Sequence, residues 1–463
     1  MPPCRPPALA LAVALAAACG GGAGAVEPPR HVVVIVVDTL RADALGCYGG
    51  RDDLTPVIDG LAERGVLFEC TQTPSTWTIP ATVSLLSGMT PFEHGTTTQL
   101  FNRIPDDVPL VAEALEDAGF RGAAVVCNPL MEADHGFARG FDSYEKLDKA
   151  PADEAVDAAL DWVRGTAPDE ERLFLYLHLF DPHWPYEPAE AERVRLALPP
   201  SPIPMREQEI LGRGMMAGDP EATAELLAWC DWATVAYEAC VASVDREIGR
   251  LMDGLDERGI LADSVVVVTA DHGEEFGENG AIGHARQLFS ETLNVPLVIA
   301  GPGVPIGERF ESPVPLRGLP GTVLAAAGVE PTTVHHRVDL IDEDWREGVS
   351  SEDHHALLHF GLWPKDDGTF RRTYNLVALR RGDRRVLWSF DDAVEDGEGR
   401  LMELGERLVE TGESQLGGDE AGAEMLSSLE EAWRSSRRPE SLKDATAVDE
   451  RRMQLEELGY GGD

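Results

Sequence analysis

The chain has 463 residues, 43% hydrophobic and 26% charged, an ordinary globular balance that excludes a mainly disordered protein. Asp and Glu number 82 against 39 Lys and Arg, a formal net charge of −43, and lysine occurs only at Lys146, Lys149, Lys365 and Lys443. Such a charge repels nucleic acid and anionic lipid headgroups, so neither is an expected partner, and an anionic substrate must be drawn in by metal ions or arginine.

Residues 1–25 read as an export signal: Arg5 is followed by the apolar run Ala8–Ala18 and then by small residues. The run is too short to span a bilayer, and no later stretch is long and apolar enough. Cys19, between Ala16-Ala17-Ala18 and Gly20-Gly21-Gly22, resembles a bacterial lipoprotein cleavage site. Two readings stand, lipid attachment to a membrane through Cys19 and simple cleavage near Ala18 or Ala25; both predict an exported protein, periplasmic, anchored or secreted.

Val32–Val37 is a continuous β-branched run, the pattern of a strand buried on both faces. Thr55-Pro56 opens a helix that ends at Gly65, with Thr55 as its expected cap. Pro109–Ala118 is a helix, Gly122–Cys127 a strand, Asp153–Val163 an amphipathic helix and Leu173–Phe180 a strand. Tyr186–Pro220, rich in proline, reads as an irregular candidate lid. Glu221–Arg258 is largely helical, and Ser264–Ala270 and Val295–Ala300 are strands. The alternation predicts an α/β fold with a doubly wound, mostly parallel sheet over 30–335. From 336 to 463 the pattern changes to a small α+β subdomain: Tyr374–Arg380 and Arg385–Phe390 flank Gly382-Asp383 as a hairpin, and Ala423–Trp433 is a helix. Cys47, Cys70, Cys127, Cys230 and Cys240 show no metal-finger spacing, and the pairing state of Cys230 and Cys240 is not legible.

In open parallel sheets ligands bind beyond the carboxyl ends of the strands. Here those ends carry Asp38, Asn128, Asp181-Pro182-His183 and Asp271-His272, with His284 following in a Gly-rich loop. A single Asp after a strand is usually a turn former; together the set predicts a metal site, and carboxylate with imidazole suits zinc or manganese. Thr78 lies at the mouth of a helix begun by Ile79-Pro80. It either caps that helix or acts as a nucleophile favoured by the helix N-terminus. His335, His336, His354, His355 and His359 lack acidic partners at ligand spacing and read as structural or surface residues, while the role of His94 stays open.

The stretches Val32–Gly49, Leu54–Phe68, Ser75–Gly95, Leu175–Tyr186, Val265–Ala285 and Val295–Val304 resemble, in this order, the sulfatase family of the alkaline phosphatase superfamily. The resemblance implies metal contacts from Asp38, Asp271 and His272 and a nucleophile at Thr78. It implies that His183 and His284 bind substrate, serve the leaving group or hold a second metal, that Asn128 lies in the substrate site, and that Arg41 is an active-site arginine, with capping as its competitor. The chain departs from the pattern. Thr78 stands where sulfatases carry the Cys or Ser matured to formylglycine, Thr82 stands for an Arg, Thr39 for the second Asp of a pair, and His272 for an Asn. Both active-site lysines lack counterparts.

These departures resemble the threonine-nucleophile branches. A formylglycine hydrate expels sulfate by collapsing to the aldehyde; a threonine ester must be cut by water. The expectation is a hydrolase of phosphate or sulfate esters, phosphoester favoured, acting on a small-molecule, glycan or lipid ester. It uses one or two divalent ions, zinc or manganese favoured over calcium. The alternatives are a phosphoethanolamine-type transferase and an inactive glycan-binding lipoprotein.

Overall fold

A computed structural model describes residues 28–97, 103–216, 219–278, 282–285 and 288–342, strand segments within 353–390, and a few helical positions near 424–431. Residues 1–25, expected to be an export signal, and Cys19 lie outside the described residues, as does most of the helix expected at Ala423–Trp433.

Eight strands form the main sheet: β1 (His31–Val37), β2 (Gly65–Phe68), β3 (Phe120–Val126), β4 (Ser143–Lys146), β5 (Arg172–Leu179), β6 (Ser264–Thr269), β7 (Leu297–Ala300) and β8 (Glu308–Phe310). Their order is β8-β2-β7-β6-β1-β5-β3-β4. Every residue of β1 is buried, as its β-branched composition requires of a strand covered on both faces. It pairs in parallel with β5 on one side and β6 on the other, with Val36 opposite both His178 and Thr269. β3 continues in register, with Val126 opposite His178. Four carboxyl ends therefore finish level, and whatever residues follow them share one edge of the sheet.

β7 runs antiparallel to both β6 and β2. A parallel return needs a long crossover, usually a helix. Between β6 and β7 the described residues hold only short elements, including the pair Glu275–Phe276 with Ile282–Gly283 and a four-residue helix, Ser290–Leu293, and the chain comes back antiparallel.

Helix α1 (Pro56–Glu63) begins where expected, but Thr55 does not cap it. The Thr55 hydroxyl accepts from the Gly46 amide at 2.9 Å and donates to Asp59 at 3.1 Å. The free amides of Val57 and Ile58 donate instead to the two oxygens of Asp245, at 3.0 and 2.8 Å. Helix α2 (Thr78–Ser87) is wholly buried and stops at Gly88, whose φ of 72° is a left-handed cap conformation. Helix α3 (Ala152–Arg164) covers β3 and β5.

The stretch 186–220 is not irregular. Its prolines separate two helices, Glu190–Arg195 and Met205–Met216, which pack on the long helix α4 (Pro220–Glu257). Cys230 and Cys240 lie on α4 as free thiols. Ten helical residues separate them by about 15 Å, which forbids a bridge. In the C-terminal part Asn375–Arg381 pairs antiparallel with Arg384–Phe390, the expected hairpin, and Asp353–His359 adds a third strand. His354, His355 and His359 fall on that strand.

Candidate metal and nucleophile site

The level strand ends bring Asp38, Asp271 and His272 together, fully buried, with one ligand atom of each within 4.8 Å of the others. Each carboxylate has one occupied oxygen. Asp38 Oδ2 accepts from Asn128 Nδ2 at 2.7 Å, and Asp271 Oδ1 accepts from the amides of Thr39 (3.3 Å) and His272 (2.8 Å). The other oxygens, Asp38 Oδ1 and Asp271 Oδ2, have no hydrogen-bond partner among the described residues. His272 Nδ1 lies 3.1 Å from the Gly273 carbonyl, so it carries the proton and leaves Nε2 with a lone pair. That nitrogen sits 3.9 Å from Asp38 Oδ1 and 3.5 Å from Asp271 Oδ2.

Two of these buried atoms, Asp38 Oδ1 and Asp271 Oδ2, have no partner among the described residues, which costs about 1–3 kcal/mol for each unsatisfied group. The donor set of two carboxylates and one imidazole fits a divalent cation. Thr39, which stands for an expected Asp, contributes its backbone. A φ of 58° turns its amide onto Asp271, a strained conformation for a β-branched residue.

Thr78 opens α2, and Trp77 is the residue before it in extended conformation. The capping reading fails: the Thr78 hydroxyl caps nothing and faces inward. Its Oγ1 lies 3.4 Å from His272 Nε2 and accepts from Asn128 Nδ2 at 3.3 Å. The Asn128 amide cannot be reversed without loss, because its Oδ1 accepts from the Leu130 amide at 3.0 Å. Asn128 therefore bridges Asp38 and Thr78.

The imidazoles of His183 and His284 form the next wall. Their ring centres are 5.0 Å apart, and His284 stands 4.4 Å from His272. His284 Nδ1 is 2.9 Å from Glu274 Oε1, and Tyr186 donates to the second oxygen of Glu274 at 3.3 Å. Burial lowers His183 to about 4, so it is neutral at pH 7. Burial also acts to lower His272, but Asp271 and Asp38 outweigh it and raise the ring above its ordinary value. Burial, with Asp38 adding repulsion, pushes Asp271 up to about 6. Asp38 goes the other way: burial is opposed by His178, His183 and His272, which together hold it below the usual carboxylate range.

Arg41 is engaged elsewhere. Its guanidinium donates to Asp43 at 2.9 and 2.8 Å, to Glu278 at 2.5 Å and to the Glu274 carbonyl at 3.0 Å. It braces the loop that carries Glu274 instead of meeting Thr78. Three residues escaped the sequence reading: Glu274, Tyr186 and His178. The signal for His178 was present, since it interrupts the largely apolar run of β5 near its carboxyl end. A cavity of about 360 Å³ opens between Pro185, Tyr186, Met205 and Trp232, where the segment expected to be a lid meets α4.

A family model described as Sulfatase matches residues 30–329. The chain aligns with an uncharacterised sulfatase of Escherichia coli, YidJ, at 24% identity over 79% of this chain and 83% of that protein. A sulfatase of Formosa agariphila is 29% identical over a shorter stretch, 28% of this chain, which spans only about a quarter of that relative's length (26%). Among solved structures, BT4656 in complex with its substrate D-glucosamine-2-N,6-O-disulfate superposes with a TM-score of 0.65 at 18% identity, over 88% of this chain and 98% of that one. The phosphonate monoester hydrolase of Silicibacter pomeroyi gives 0.60 at 20% identity, over 87% and 94%. These likenesses concern the fold, and the match over 30–329 decides the lineage: the chain belongs to the sulfatase family.

Proposed function

We propose that the protein is a metal-dependent ester hydrolase with Thr78 as its nucleophile, acting on phosphoesters in preference to sulfate esters. The observation that carries this reading is the Thr78 hydroxyl at the N-terminus of α2, 3.4 Å from the free nitrogen of a carboxylate–imidazole set with orphaned oxygens. Asp38, Asp271 and His272 would hold the cation, with zinc or manganese preferred for this donor set. When bound, it supplies Lewis acidity that makes a neighbouring hydroxyl more acidic and offsets charge on the transferred group.

The chain's own groups do the rest. Asn128 holds the Thr78 oxygen in place. Thr78 gives its hydroxyl proton to solvent, its Oγ forms a bond to phosphorus as the ester P–O bond breaks, and the departing oxygen takes a proton from the imidazolium form of His284, which Glu274 orients. The now neutral His284 accepts a proton from water as the water oxygen attacks phosphorus and the Thr78–phosphorus bond breaks, and the released Thr78 oxygen takes a proton back from solvent. His183, neutral because it is buried, lies beside His284 to accept a hydrogen bond from substrate or to join a second ion.

Phosphoester is preferred because a threonine ester lacks the collapse that lets a formylglycine hydrate expel sulfate. Sulfate ester is the second reading, favoured by the sulfated sugar bound to BT4656. The test is a panel of aryl sulfate, phosphate monoester, phosphate diester and phosphonate substrates with added zinc, manganese or calcium. A phosphate ester should turn over fastest with zinc or manganese. Turnover of sulfate alone overturns the preference, and turnover undiminished by chelation overturns the metal centre.

A further inference from the structure

Tyr176 and His178 are buried polar residues on β5 that the mechanism above does not use. Two residues apart on one strand, they share a face of the sheet. The register that sets His178 opposite Val36 also places it diagonally behind Asp38. The Tyr176 hydroxyl is 3.2 Å from His178 Nδ1, and His178 Nε2 is 3.7 Å from Asp38 Oδ2. His178 Nε2 has no partner at hydrogen-bond distance among the described residues.

The donor and acceptor inventory orders this row. An ionised carboxylate only accepts, so the imidazole nitrogen aimed at Asp38 carries the proton. His178 Nδ1 then has a lone pair, and Tyr176 donates to it. Asn128 Nδ2 reaches the same Asp38 oxygen from the other side at 2.7 Å. Asn128 thus donates to Oδ2 and the His178 N–H faces the same oxygen from 3.7 Å, just beyond hydrogen-bond distance, while Oδ1, with no partner among the described residues, faces His272 Nε2. A carboxylate turns easily about its last torsion, which has broad, twofold wells. Donors gathered on one oxygen remove that freedom.

We propose that Tyr176 and His178 form a relay that fixes Asp38 with Oδ1 turned toward the cation, making His178 a positioning residue of the metal centre. The relay rests on the reading of Asp38, Asp271 and His272 as cation ligands. It gives a reason for burying a phenol and an imidazole in the middle of an apolar strand, where each costs free energy unless it is paired. Groups that orient metal ligands from behind typically change metal affinity by about 10–100-fold when removed.

The test uses the full chain with His178→Leu, His178→Gln and Tyr176→Phe, and measures zinc and manganese affinity by competition with a chelator. Metal-free thermal midpoints are measured alongside, so that lost affinity is not confused with lost folding. His178→Leu should weaken both ions about 10–100-fold. Tyr176→Phe, which removes one oxygen, should weaken them less. His178→Gln keeps an N–H near Nε2 and should recover most of the affinity, a rescue that simple filling of space does not predict. Wild-type affinity in folded His178→Leu overturns the relay and leaves the metal centre intact. If His178→Leu does not fold, wild-type affinity in Tyr176→Phe overturns it instead. A wild-type protein that binds neither ion overturns the metal centre and the relay together.

Discussion

Replacing Thr78 by Ala separates nucleophile from scaffold more cleanly than any other change at this site. The hydroxyl makes two long contacts, 3.3 Å from Asn128 Nδ2 and 3.4 Å from His272 Nε2. Bonds of that length contribute less than the usual net of about 1 kcal/mol each. The lost methyl costs about 1 kcal/mol, and the better helix propensity of Ala returns roughly 0.5. The fold should therefore weaken by no more than about 2.5 kcal/mol. Catalysis should suffer far more: removing a nucleophile should lower kcat by at least about 10³-fold, roughly 4 kcal/mol of transition-state stabilisation. Because the proposed ligands are Asp38, Asp271 and His272, metal content should stay near normal. The assay is steady-state turnover of the best ester in the panel, with metal content and thermal midpoint measured on the same preparation. Wild-type kcat in a metal-loaded, folded Thr78→Ala protein would refute the assignment.

Three further outcomes follow from particular contacts. Gly273→Ala places a Cβ 2.0 Å from the Glu291 carbonyl oxygen, so the loop between His272 and Glu274 must shift; chelator competition should show weaker zinc binding, and wild-type affinity would mean the loop yields freely. Asp245→Ala leaves the amides of Val57 and Ile58 without acceptors and should cost about 1–2 kcal/mol by urea denaturation, with Asp245→Asn recovering part of it. Burial lowers His336 from 6.5 to about 4, so its neutral form is favoured in the fold; its contribution is intact above pH 6.5 and is lost as pH falls toward 4. A His336→Gln protein should show a flatter stability slope across that window, and an unchanged slope would assign the slope to other groups.

Much of the site was legible because its chemistry sits where chain direction changes. A polar residue directly after an apolar strand is a visible break, and Asp38, Asn128 and Asp271-His272 each follow one. Thr55 shows the opposite case. Local pattern made it a helix cap, but the acceptor for those amides is Asp245, far along the chain on α4. The partners of Arg41 were hidden for a related reason: Asp43, Glu274 and Glu278 come together around it only through folding. The proline-rich 186–220 segment hid two helices because proline punctuates helices as well as breaking them.

By itself the sequence determined the class of fold, the order of its strands along the chain and the kinds of ligand atom available, since burial and turn preferences act over a few residues. Only the tertiary structure decided which oxygen of each carboxylate is left without a donor, and that Asn128 and His178 both turn toward Asp38. Those choices depend on register between strands remote in sequence. Pairing Val36 with His178 on one side and Thr269 on the other is a property of the assembled sheet.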